Sequence, residues 1–318
     1  MQILVFGKDG QLGKAFRKLF DEALITQRHI QVRYVGRDDC DLANADAITA
    51  LLEQVRPNLI INAAAYTAVD RAEGESSIAH QINALAPQTI AQYAANQNAV
   101  LLHYSTDYVF DGSKSDFYQE SDIRNPLGEY GKSKAAGEIA IENVFKQVPN
   151  GQYAIFRTSW VYGEGGNFIK TILRLAKERN SLRIIEDQYG VPTSAEWLAA
   201  ISLDLIFNTK WQLQRFVSGI YHAVPSGETS WYQLACHAVM FANEAGARLK
   251  VSVADIEPIA TSEYPTPAPR PKNSRMSADK LKQAIAIQND VSKLQRWSIS
   301  WADQVRSYVQ QLIKEQII

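Results

Sequence analysis

The stretch ILVFGKDGQLG, residues 3–13, decides the fold of this chain. Its first four residues are apolar and of strand length, and Gly7, Gly10 and Gly13 follow at spacings of three. The apolar residues that come next recur with the period of a helix. A buried strand, a glycine turn and a helix in this order are typical of the start of a dinucleotide-binding domain.

The glycine turn is a candidate phosphate-binding loop. Glycines let the backbone approach a pyrophosphate closely, and the N-terminus of the following helix supplies amides and a positive dipole end. The spacing is G-x-x-G-x-x-G, where the Rossmann fingerprint has G-x-G-x-x-G, so a plain tight turn is the alternative. Because a strand and a helix flank the turn in the required order, we favour phosphate binding.

The end of the second predicted strand, residues 32–35, bears on the choice of cofactor. In a Rossmann fold this position faces the adenosine ribose, where an acidic residue binds a 2′-hydroxyl and an arginine pairs with a 2′-phosphate. Arg37 therefore favours NADPH, and NADH stays possible because Asp38, Asp39 and Asp41 follow closely. A solvated loop charge is the alternative interpretation of Arg37.

The third predicted strand, residues 59–61, is followed by Ala63, Ala64 and Ala65. Small side chains at the carboxyl end of a strand leave room for a flat ligand, and ligands of open α/β sheets bind at that edge. Close packing of a helix against the strand would also use small residues. Both interpretations agree that another group approaches the backbone here.

Thr106 follows the fourth predicted strand, residues 100–104. Its hydroxyl is expected at the carboxyl edge of the sheet, where it can orient a carbonyl oxygen. A Ser-Thr pair after a strand otherwise serves as a helix cap or a turn. Thr106 is thus a candidate catalytic hydroxyl whose weight depends on its neighbours.

The segment NPLGEYGKSK, residues 125–134, places Tyr130 and Lys134 four apart where the next apolar-periodic helix begins. Residues four apart lie on one face of a helix. An ammonium beside a phenol favours the phenolate, so Lys134 is expected to lower the pKa of Tyr130 from its ordinary value of about 10. Such a tyrosine can exchange a proton with a carbonyl oxygen near neutral pH. Alone, this spacing is common on helices and usually marks a surface contact.

Composition and charge exclude several classes of protein. The 318 residues carry a net charge of −1, with 46% hydrophobic and 21% charged residues, as in an ordinary globular protein of about two domains. This balance gives no reason to expect nucleic acid or a membrane as a partner. Cys40 and Cys236 lack metal-ligand spacing, and neither a signal peptide nor a membrane-spanning stretch is found. We therefore expect a soluble, cytoplasmic protein.

The regular alternation of strands and helices weakens after a fifth strand at residues 154–157. The pattern predicts an α/β fold with a Rossmann-like doubly wound parallel sheet. We place the dinucleotide-binding domain in residues 1–153 and a smaller mixed C-terminal substrate lobe in residues 154–318. Segments near residues 193–223 are candidates to return to the first domain.

Local periodicity makes three further predictions. Residues 77–95 have the period of a long helix, with Asn83 inside it. Residues 251–256 alternate between apolar and polar side chains like a strand. Residues 259–274 carry four prolines and are expected to be extended or loop.

Taken together, the motifs resemble one group of enzymes. The glycine loop, the hydroxyl after the fourth strand and the Y-x-x-x-K spacing occur in the order of the extended short-chain dehydrogenase/reductase superfamily. More narrowly, the chain is similar nearly end to end to the dTDP-4-dehydrorhamnose reductase family. The segments that carry this similarity are GKDGQLG, NAAAYTAVDRAE, HYSTDYVFDG, NPLGEYGKSKAAGE, FRTSWVYG, DQYGVPTSAE and YPTPAPRPKNSR.

The resemblance implies a reaction and roles for individual residues. NADPH or NADH would deliver hydride to carbon 4 of dTDP-4-dehydro-L-rhamnose, giving dTDP-L-rhamnose for cell-surface polysaccharide. Tyr130 would donate the proton to the sugar oxygen, Lys134 would hold the nicotinamide ribose, and Thr106 would lie beside the carbonyl. Asp107 and Trp160 would contact the nucleotide-sugar. The residues implied in cofactor binding are Gly7, Gly10, Gln11, Leu12, Gly13, Arg37, Asp41, Leu42, Ala63, Ala64, Ala65, Tyr66, Tyr104, Tyr130 and Lys134.

Some members of this family are dimers bridged by magnesium through glutamates. At the positions that we align with those ligands the chain has Ala15 and Ala302, and only Glu196 keeps a carboxylate. No metal site is therefore expected, magnesium is doubtful, and a monomer or a weak homodimer is the expected state. Weaker candidates for substrate contact in the second lobe are Gln188, Asn273 and Arg275.

Two other functions fit parts of the pattern. One is a nucleotide-sugar epimerase or dehydratase, but a dehydratase is expected to have Asp-Glu after the threonine, and here Asp107 and Tyr108 follow. The other is a regulatory subunit that binds a dinucleotide without turnover. Such a subunit is expected to lose a triad residue, and Thr106, Tyr130 and Lys134 are all present.

Overall fold

The helices and strands follow a βα alternation through the first half of the chain. The structure is a computed structural model that describes residues 1–25, 27, 29–287 and 291–318. Its strands are β1 (Gln2–Phe6), β2 (Gln31–Val35), β3 (Leu59–Asn62), β4 (Val100–Thr106), β5 (Tyr153–Thr158), β6 (Val161–Tyr162), β7 (Leu182–Ile185), β8 (Tyr189–Gly190), β9 (Thr193–Ser194), β10 (Gly219–His222), β11 (Thr229–Ser230) and β12 (Ile256–Ile259). Its α-helices are α1 (Gln11–Leu24), α2 (Ala45–Val55), α3 (Val69–Ala72), α4 (Ser76–His80), α5 (Ala86–Gln97), α6 (Glu129–Phe145), α7 (Phe168–Glu178), α8 (Ala195–Ile206), α9 (Trp231–Glu244), α10 (Asp279–Ala286), α11 (Val291–Leu294) and α12 (Trp301–Lys314).

A six-stranded parallel sheet lies at the centre, in the order β10-β5-β4-β3-β1-β2. β3 and β4 are buried along their whole length, which explains why residues 59–61 and 100–102 are uninterrupted apolar runs. The strand order reverses beside β1, and ligands of such sheets bind at the carboxyl edge near that reversal. The predicted α/β class with a Rossmann-like sheet is confirmed.

Helices cover both faces of the sheet. On one face, Phe16 of α1 and Leu198 of α8 pack against Val5 of β1 in a buried apolar cluster. On the other face, Ile48 of α2 and Ile90 of α5 belong to a second buried cluster with the opposite side chains of the strands. Because each strand contributes alternate side chains to the two clusters, the sheet is held rigidly between two layers of helices.

The smaller lobe is built from later segments. Its core joins Leu173 of α7, Leu234 of α9 and Val305 of α12, and β7 pairs with β12 in parallel. Between these segments the chain returns to the first lobe, where α8 packs on α1 and β10 pairs with β5. Residues after 153 thus build part of the main sheet, and the position of the boundary between lobes stays a prediction.

The helical pattern over residues 77–95 is interrupted in the structure. α4 and α5 are joined by a π-helical turn at Gln81–Leu85, and Asn83 lies inside it. Asn83 Nδ2 donates to the Ser133 hydroxyl and to the Tyr66 carbonyl, both at 3.0 Å. A wider turn, as often found at functional sites, thus places this amide between α6 and the segment after β3.

The strand predicted over residues 251–256 is wrong. Val253–Asp255 form a 3₁₀ turn that Ser252 opens by hydrogen bonding to Asp255. Pairing begins only at Ile256, where β12 meets β7. The local hydrogen bonds of Ser and Asp compete with strand pairing, and alternation alone does not show that competition. Within the described residues, no helix has the length and apolar character needed to cross a bilayer.

We predict that Gly137→Ala destabilises the protein. A Cβ at this position of α6 would lie 2.1 Å from the Asn83 carbonyl oxygen, and both backbones would have to move apart. Overpacking of this kind costs about 1–3 kcal/mol, measured as the free energy of unfolding in urea. Gly166→Ala is the control, because no atom lies within 4 Å of its added methyl group. Equal stability of the two variants would contradict the close approach of α6 to the π-helical turn.

Candidate active site

The glycine loop is shaped by backbone contacts that exclude side chains. Gly7 has a φ of +88°, and a Cβ there would lie 2.8 Å from the backbone of Ala63 and Ala64. A Cβ at Gly13 would lie 2.1 Å from the Gly7 carbonyl oxygen. α1 begins directly after Gly10, which has no side chain to cap the helix, and its first turn contains no acidic residue. The first amides of α1 and its positive dipole end are thus available to an anion.

A cleft of about 360 Å³ lies beside this loop, between the ends of β1, β2 and β3. Arg37 lines it and has no ion pair among the described residues. Asp39 instead accepts a hydrogen bond from the Gly36 amide at 2.7 Å and pairs with Lys8, which lowers the pKa of its carboxyl. The residues that line the cleft are Phe6, Gly7, Val35, Gly36, Arg37, Cys40, Asp41, Leu42, Ala64, Ala65, Tyr66, Thr67, Ala68, Arg71, Glu75, Ile78 and Ile82.

Thr106 and Tyr130 converge at the carboxyl edge of β4. The Thr106 hydroxyl lies close enough to the Tyr130 phenol to lower its pKa, and it donates to Asp107 Oδ1 at 3.0 Å. Burial raises the pKa of Tyr130 to about 12, although the Thr106 hydroxyl offsets part of the rise. Burial also raises the pKa of the Asp107 carboxyl, to about 6. The phenol is therefore protonated throughout the neutral range.

Lys134 is fully buried one turn after Tyr130 on α6. Its ammonium donates to the Tyr104 carbonyl oxygen at 2.5 Å and lies 3.3 Å from His103 Nε2. Burial lowers the pKa of Lys134 to about 8, and the charge of Glu138 opposes part of that shift. The expectation that Lys134 lowers the pKa of Tyr130 is wrong in this structure. Desolvation of the phenol raises its pKa by more than the Thr106 hydroxyl lowers it. The Lys134 side chain points to β4 instead, where it donates to the Tyr104 carbonyl oxygen.

Glu138 completes the buried face of α6, one further turn along. Its carboxylate accepts hydrogen bonds from Arg157 Nε at 2.9 Å and Nη2 at 2.7 Å. Arg124 Nε also donates to it, at 2.5 Å. Despite complete burial, the two guanidinium groups hold the pKa of this carboxyl below its ordinary range. Tyr130, Lys134 and Glu138 thus share one helix face that is tied to the sheet.

A second cleft, of about 680 Å³, opens between the carboxyl edge of the sheet and the smaller lobe. Tyr108 lies in its wall and makes an edge-to-face contact with Tyr130, with ring centroids 5.5 Å apart. Arg270 also lines it and pairs with Asp70 at 2.8 Å. The wall is formed by Asp70, Tyr108, Phe168, Thr171, Ile172, Leu175, Arg179, Leu182, Arg183, Ile184, Ile185, Gln188, Trp231, Tyr264, Pro265, Thr266, Pro267 and Arg270.

Comparison with known proteins agrees with this geometry. The family model described as RmlD substrate binding domain matches residues 1–310. A dTDP-4-dehydrorhamnose reductase of Salmonella typhimurium is 41% identical over 285 residues, which are 89% of this chain and 91% of that protein. The chain belongs to the dTDP-4-dehydrorhamnose reductase family.

Solved structures of the dTDP-4-dehydrorhamnose reductase family have the same fold throughout. The structure from Clostridium acetobutylicum superposes with a TM-score of 0.83 at 32% identity, covering 98% of this chain and all of that one. The structure from Bacillus anthracis, in complex with NADP, gives a TM-score of 0.77 at 31% identity and covers 94% and 98% of the two chains. Both lobes are therefore part of the family fold.

The structure separates the candidate residues of the second lobe by position. Gln188 lines the larger cleft, whereas Asn273 bonds to the carbonyls of Lys114 and Asp116 and has a structural role. Arg275 is likewise engaged, with the Ser115 carbonyl and a glutamate. The motif YPTPAPRPKNSR common to the family thus contributes its earlier residues to the cleft and its later residues to packing.

Two candidate residues have side chains that the sequence could not orient. The Tyr104 ring packs between Phe16 and Phe156 in the core, so its contribution to the catalytic edge is the carbonyl oxygen that holds Lys134. Trp160 has a φ of +48°, and its ring stacks on that of Trp231 with the ring centroids 3.7 Å apart. Of the two rings, that of Trp231 lines the larger cleft. The cleft residues that sequence analysis did not single out, Asp70, Tyr264 and Arg270, come together only through tertiary packing.

Among the described residues, no group of three or more His, Cys, Asp or Glu side chains could hold a metal ion. Glu196, the one carboxylate aligned with the family's magnesium ligands, pairs with Lys18 at 2.8 Å. Ala15 lies on the buried face of α1. The Glu196 carboxylate thus forms an ion pair between α8 and α1.

We predict that Lys134 titrates near pH 8. Its burial disfavours the ammonium, so the charged form is present below that pH and is lost above it. The measurement is NMR of lysine labelled with ¹⁵N, with Lys134→Met to assign the signal. Lys132, exposed and paired with Glu129, has a raised pKa and is the internal control. A Lys134 signal that titrates together with Lys132 would show that the side chain is not desolvated.

Proposed function

We propose that the chain is an NADPH-dependent oxidoreductase that reduces dTDP-4-dehydro-L-rhamnose to dTDP-L-rhamnose, a precursor of cell-surface polysaccharide. The observation that carries this proposal is the meeting of Thr106 and Tyr130 at the point where the glycine-loop side of the sheet and the larger cleft adjoin. A reductase of this kind needs a cofactor site, a proton donor and a sugar site around one carbon atom. Family membership over nearly the full length supports the same assignment.

Tyr130 is the proposed proton donor to the sugar oxygen. NADPH, when bound, supplies the hydride. Negative charge then develops on the oxygen at carbon 4, and hydrogen bonds from Tyr130 and Thr106 would stabilise it by about 3–4 kcal/mol each. A phenol with a pKa near 12 keeps its proton until that oxygen becomes strongly basic. Lys134 is the proposed contact to the nicotinamide ribose.

The residues beside the glycine loop fit a dinucleotide phosphate. Gly7, Gly10 and Gly13 leave the space that side chains would fill, and Gln11 and Leu12 open the helix whose amides face the loop. Asp41, Leu42, Ala63, Ala64, Ala65 and Tyr66 are the proposed walls of the adenosine and nicotinamide sites. The unpaired guanidinium of Arg37 supports NADPH, because a 2′-phosphate would give it a charge-assisted partner.

The larger cleft is the proposed site of the nucleotide-sugar. Arg179, which has no ion pair among the described residues, supplies positive charge suited to a diphosphate, and Trp231 and Tyr264 supply faces suited to a base. We propose that Asp107 and Trp160 contact the sugar at the junction with Tyr130. Tyr108 occupies the position where a dehydratase is expected to have a glutamate, which favours the reductase over that alternative.

We also propose that the protein acts in the cytoplasm as a monomer or a weak homodimer. The support for the first point is a reduced pair of cysteines, Cys40 and Cys236, both free in the structure. The support for the second is the ion pair of Glu196 with Lys18, which occupies the carboxylate aligned with the family's magnesium ligands. Sedimentation with and without EDTA tests it: a dimer that dissociates on chelation would contradict the proposal.

We predict that Tyr130→Phe lowers kcat at least about 100-fold, because the proton donor is lost while the ring remains. The assay follows the absorbance of NADPH after addition of dTDP-4-dehydrorhamnose. NADPH binding, measured by fluorescence, should be kept. Tyr153→Phe is the control, since Tyr153 lies at the opposite, amino end of β5. A wild-type protein that binds NADPH and leaves its absorbance unchanged would refute the reductase and favour a regulatory subunit.

We predict that Arg37→Leu lowers the ratio of kcat/KM with NADPH to kcat/KM with NADH about tenfold or more. The lost hydrogen bonds to a charged phosphate are worth about 1.5–3 kcal/mol and exist only for NADPH. Arg33→Leu is the matched control, because Arg33 lies on β2 with its guanidinium on Gln54, away from the cleft. An unchanged ratio in Arg37→Leu would mean that this arginine stays in solvent.

A further inference from the structure

His103 is a buried imidazole to which the proposed mechanism gives no role. It lies on β4 between Asn62 of β3 and Lys134 of α6, and all three side chains are about fully buried. Asn62 Nδ2 is 3.1 Å from His103 Nδ1, and Lys134 Nζ is 3.3 Å from His103 Nε2. Burial and the charge of Lys134 hold the pKa of His103 well below its ordinary range. The ring is therefore neutral, with one N–H and one accepting nitrogen.

The hydrogen bonds around this ring have a direction. The Ala64 amide donates to Asn62 Oδ1 at 3.3 Å, so the NH₂ group of Asn62 faces His103 Nδ1. Nδ1 then accepts, and the single ring proton lies on Nε2, facing Lys134. Only a neutral amine has a lone pair that can accept this proton. Lys134 in turn donates to the Tyr104 carbonyl oxygen, which completes a continuous chain of donors and acceptors.

Protonation of Lys134 would reverse this chain. An ammonium only donates, so Nε2 would have to accept and the ring proton would move to Nδ1. Two donors, Nδ1–H and the NH₂ group of Asn62, would then face each other unless the Asn62 amide turned over. Turning it would break the bond from the Ala64 amide and leave a donor without a partner, which is costly in a buried site.

We propose that His103 is a positioning residue that couples the protonation of Lys134 to its own tautomer and to the orientation of the Asn62 amide. The proposal rests on the proposed function only for the role of Lys134 in binding the cofactor ribose. Through this coupling the imidazole favours the neutral amine and holds it against the Tyr104 carbonyl. Lys134 can then change its charge within the neutral range instead of remaining a fixed cation.

The other titratable groups near Lys134 on α6 either favour its ammonium form or carry no charge near neutral pH. Glu138, one turn further along α6, favours the ammonium, and its own charge is shared with Arg157 and Arg124. Tyr130, one turn earlier on α6, is neutral over the same pH range. From β4 only His103 and the Tyr104 carbonyl make hydrogen bonds to the amine among the described residues. His103 and Glu138 therefore act on Lys134 in opposite directions.

The test is the NMR titration of Lys134 in His103→Gln. A glutamine amide can turn its carbonyl oxygen towards an ammonium without any change of tautomer, so the Lys134 pKa should rise by about half a unit or more. Asn62→Asp should also raise it, because a carboxylate accepts from Nδ1–H and leaves Nε2 to accept from the ammonium. In the wild-type protein, ¹⁵N shifts of the ring should show Nδ1 unprotonated above the Lys134 pKa and protonated below it.

His222→Gln is the matched control. His222 is as deeply buried at the end of β10, two strands away from β4, and its Nδ1 lies 3.1 Å from the Ser277 carbonyl oxygen. Its replacement should leave the Lys134 titration unchanged. An unchanged or lowered Lys134 pKa in His103→Gln overturns the proposal, and if that variant does not fold, Asn62→Asp decides by the same criterion. None of these readouts needs turnover, so a wild type that failed to oxidise NADPH would refute the proposed function and leave this test standing.

Discussion

The buried ion pair between Glu138 and Arg157 is the interaction on which the active site depends. Two charges that are removed from water lose several kcal/mol of hydration each, and only close geometry and further hydrogen bonds repay that loss. Here Arg157 donates twice to Glu138 and Arg124 adds a third bond. Any rotation or sliding of α6 would break these bonds and leave a buried charge without a partner. The pair therefore fixes the register of α6 against β5, and with it the positions of Tyr130 and Lys134.

Close packing between the backbones of α6 and the π-helical turn further restricts the position of α6. Gly137 allows α6 to approach the π-helical turn until the Asn83 carbonyl lies where a methyl group would be. Asn83 then reaches from that turn to Ser133 of α6 and to the backbone of Tyr66, which lines the smaller cleft. A charge pair on one side and a glycine contact on the other thus hold the helix against the sheet, and they join the catalytic residues to the walls of both clefts.

Sequence analysis predicted the features that depend on local structure. The glycine loop, the sheet and the Y-x-x-x-K helix follow from periodicity and from residues that permit only a few backbone conformations. The contacts of Glu138 and His103 were not predicted, because their partners lie on other elements and no spacing marks them. The pKa of Tyr130 was predicted in the wrong direction, because a sequence shows which residues are neighbours along the chain but does not show how deeply the phenol is buried. The orientation of the Trp160 ring likewise depends on a partner, Trp231, that lies far along the chain.

The pKa values of Tyr130 and Lys134 are shifted in directions that suit the proposed reduction. Burial disfavours the charged form of each, so the pKa of Tyr130 rises to about 12 and that of Lys134 falls to about 8. An enzyme that removes a proton from an alcohol needs a phenolate, which burial makes scarce. One that protonates a developing alkoxide needs the phenol, and an alkoxide is basic enough to take a proton from a group with a pKa near 12. Because Thr106 is buried and Tyr130 is partly buried, a hydrogen bond from either hydroxyl to that oxygen would be stronger than in water. The burial that overturned the expected acidity of Tyr130 thus keeps the proton on the phenol, as the proposed role of proton donor requires.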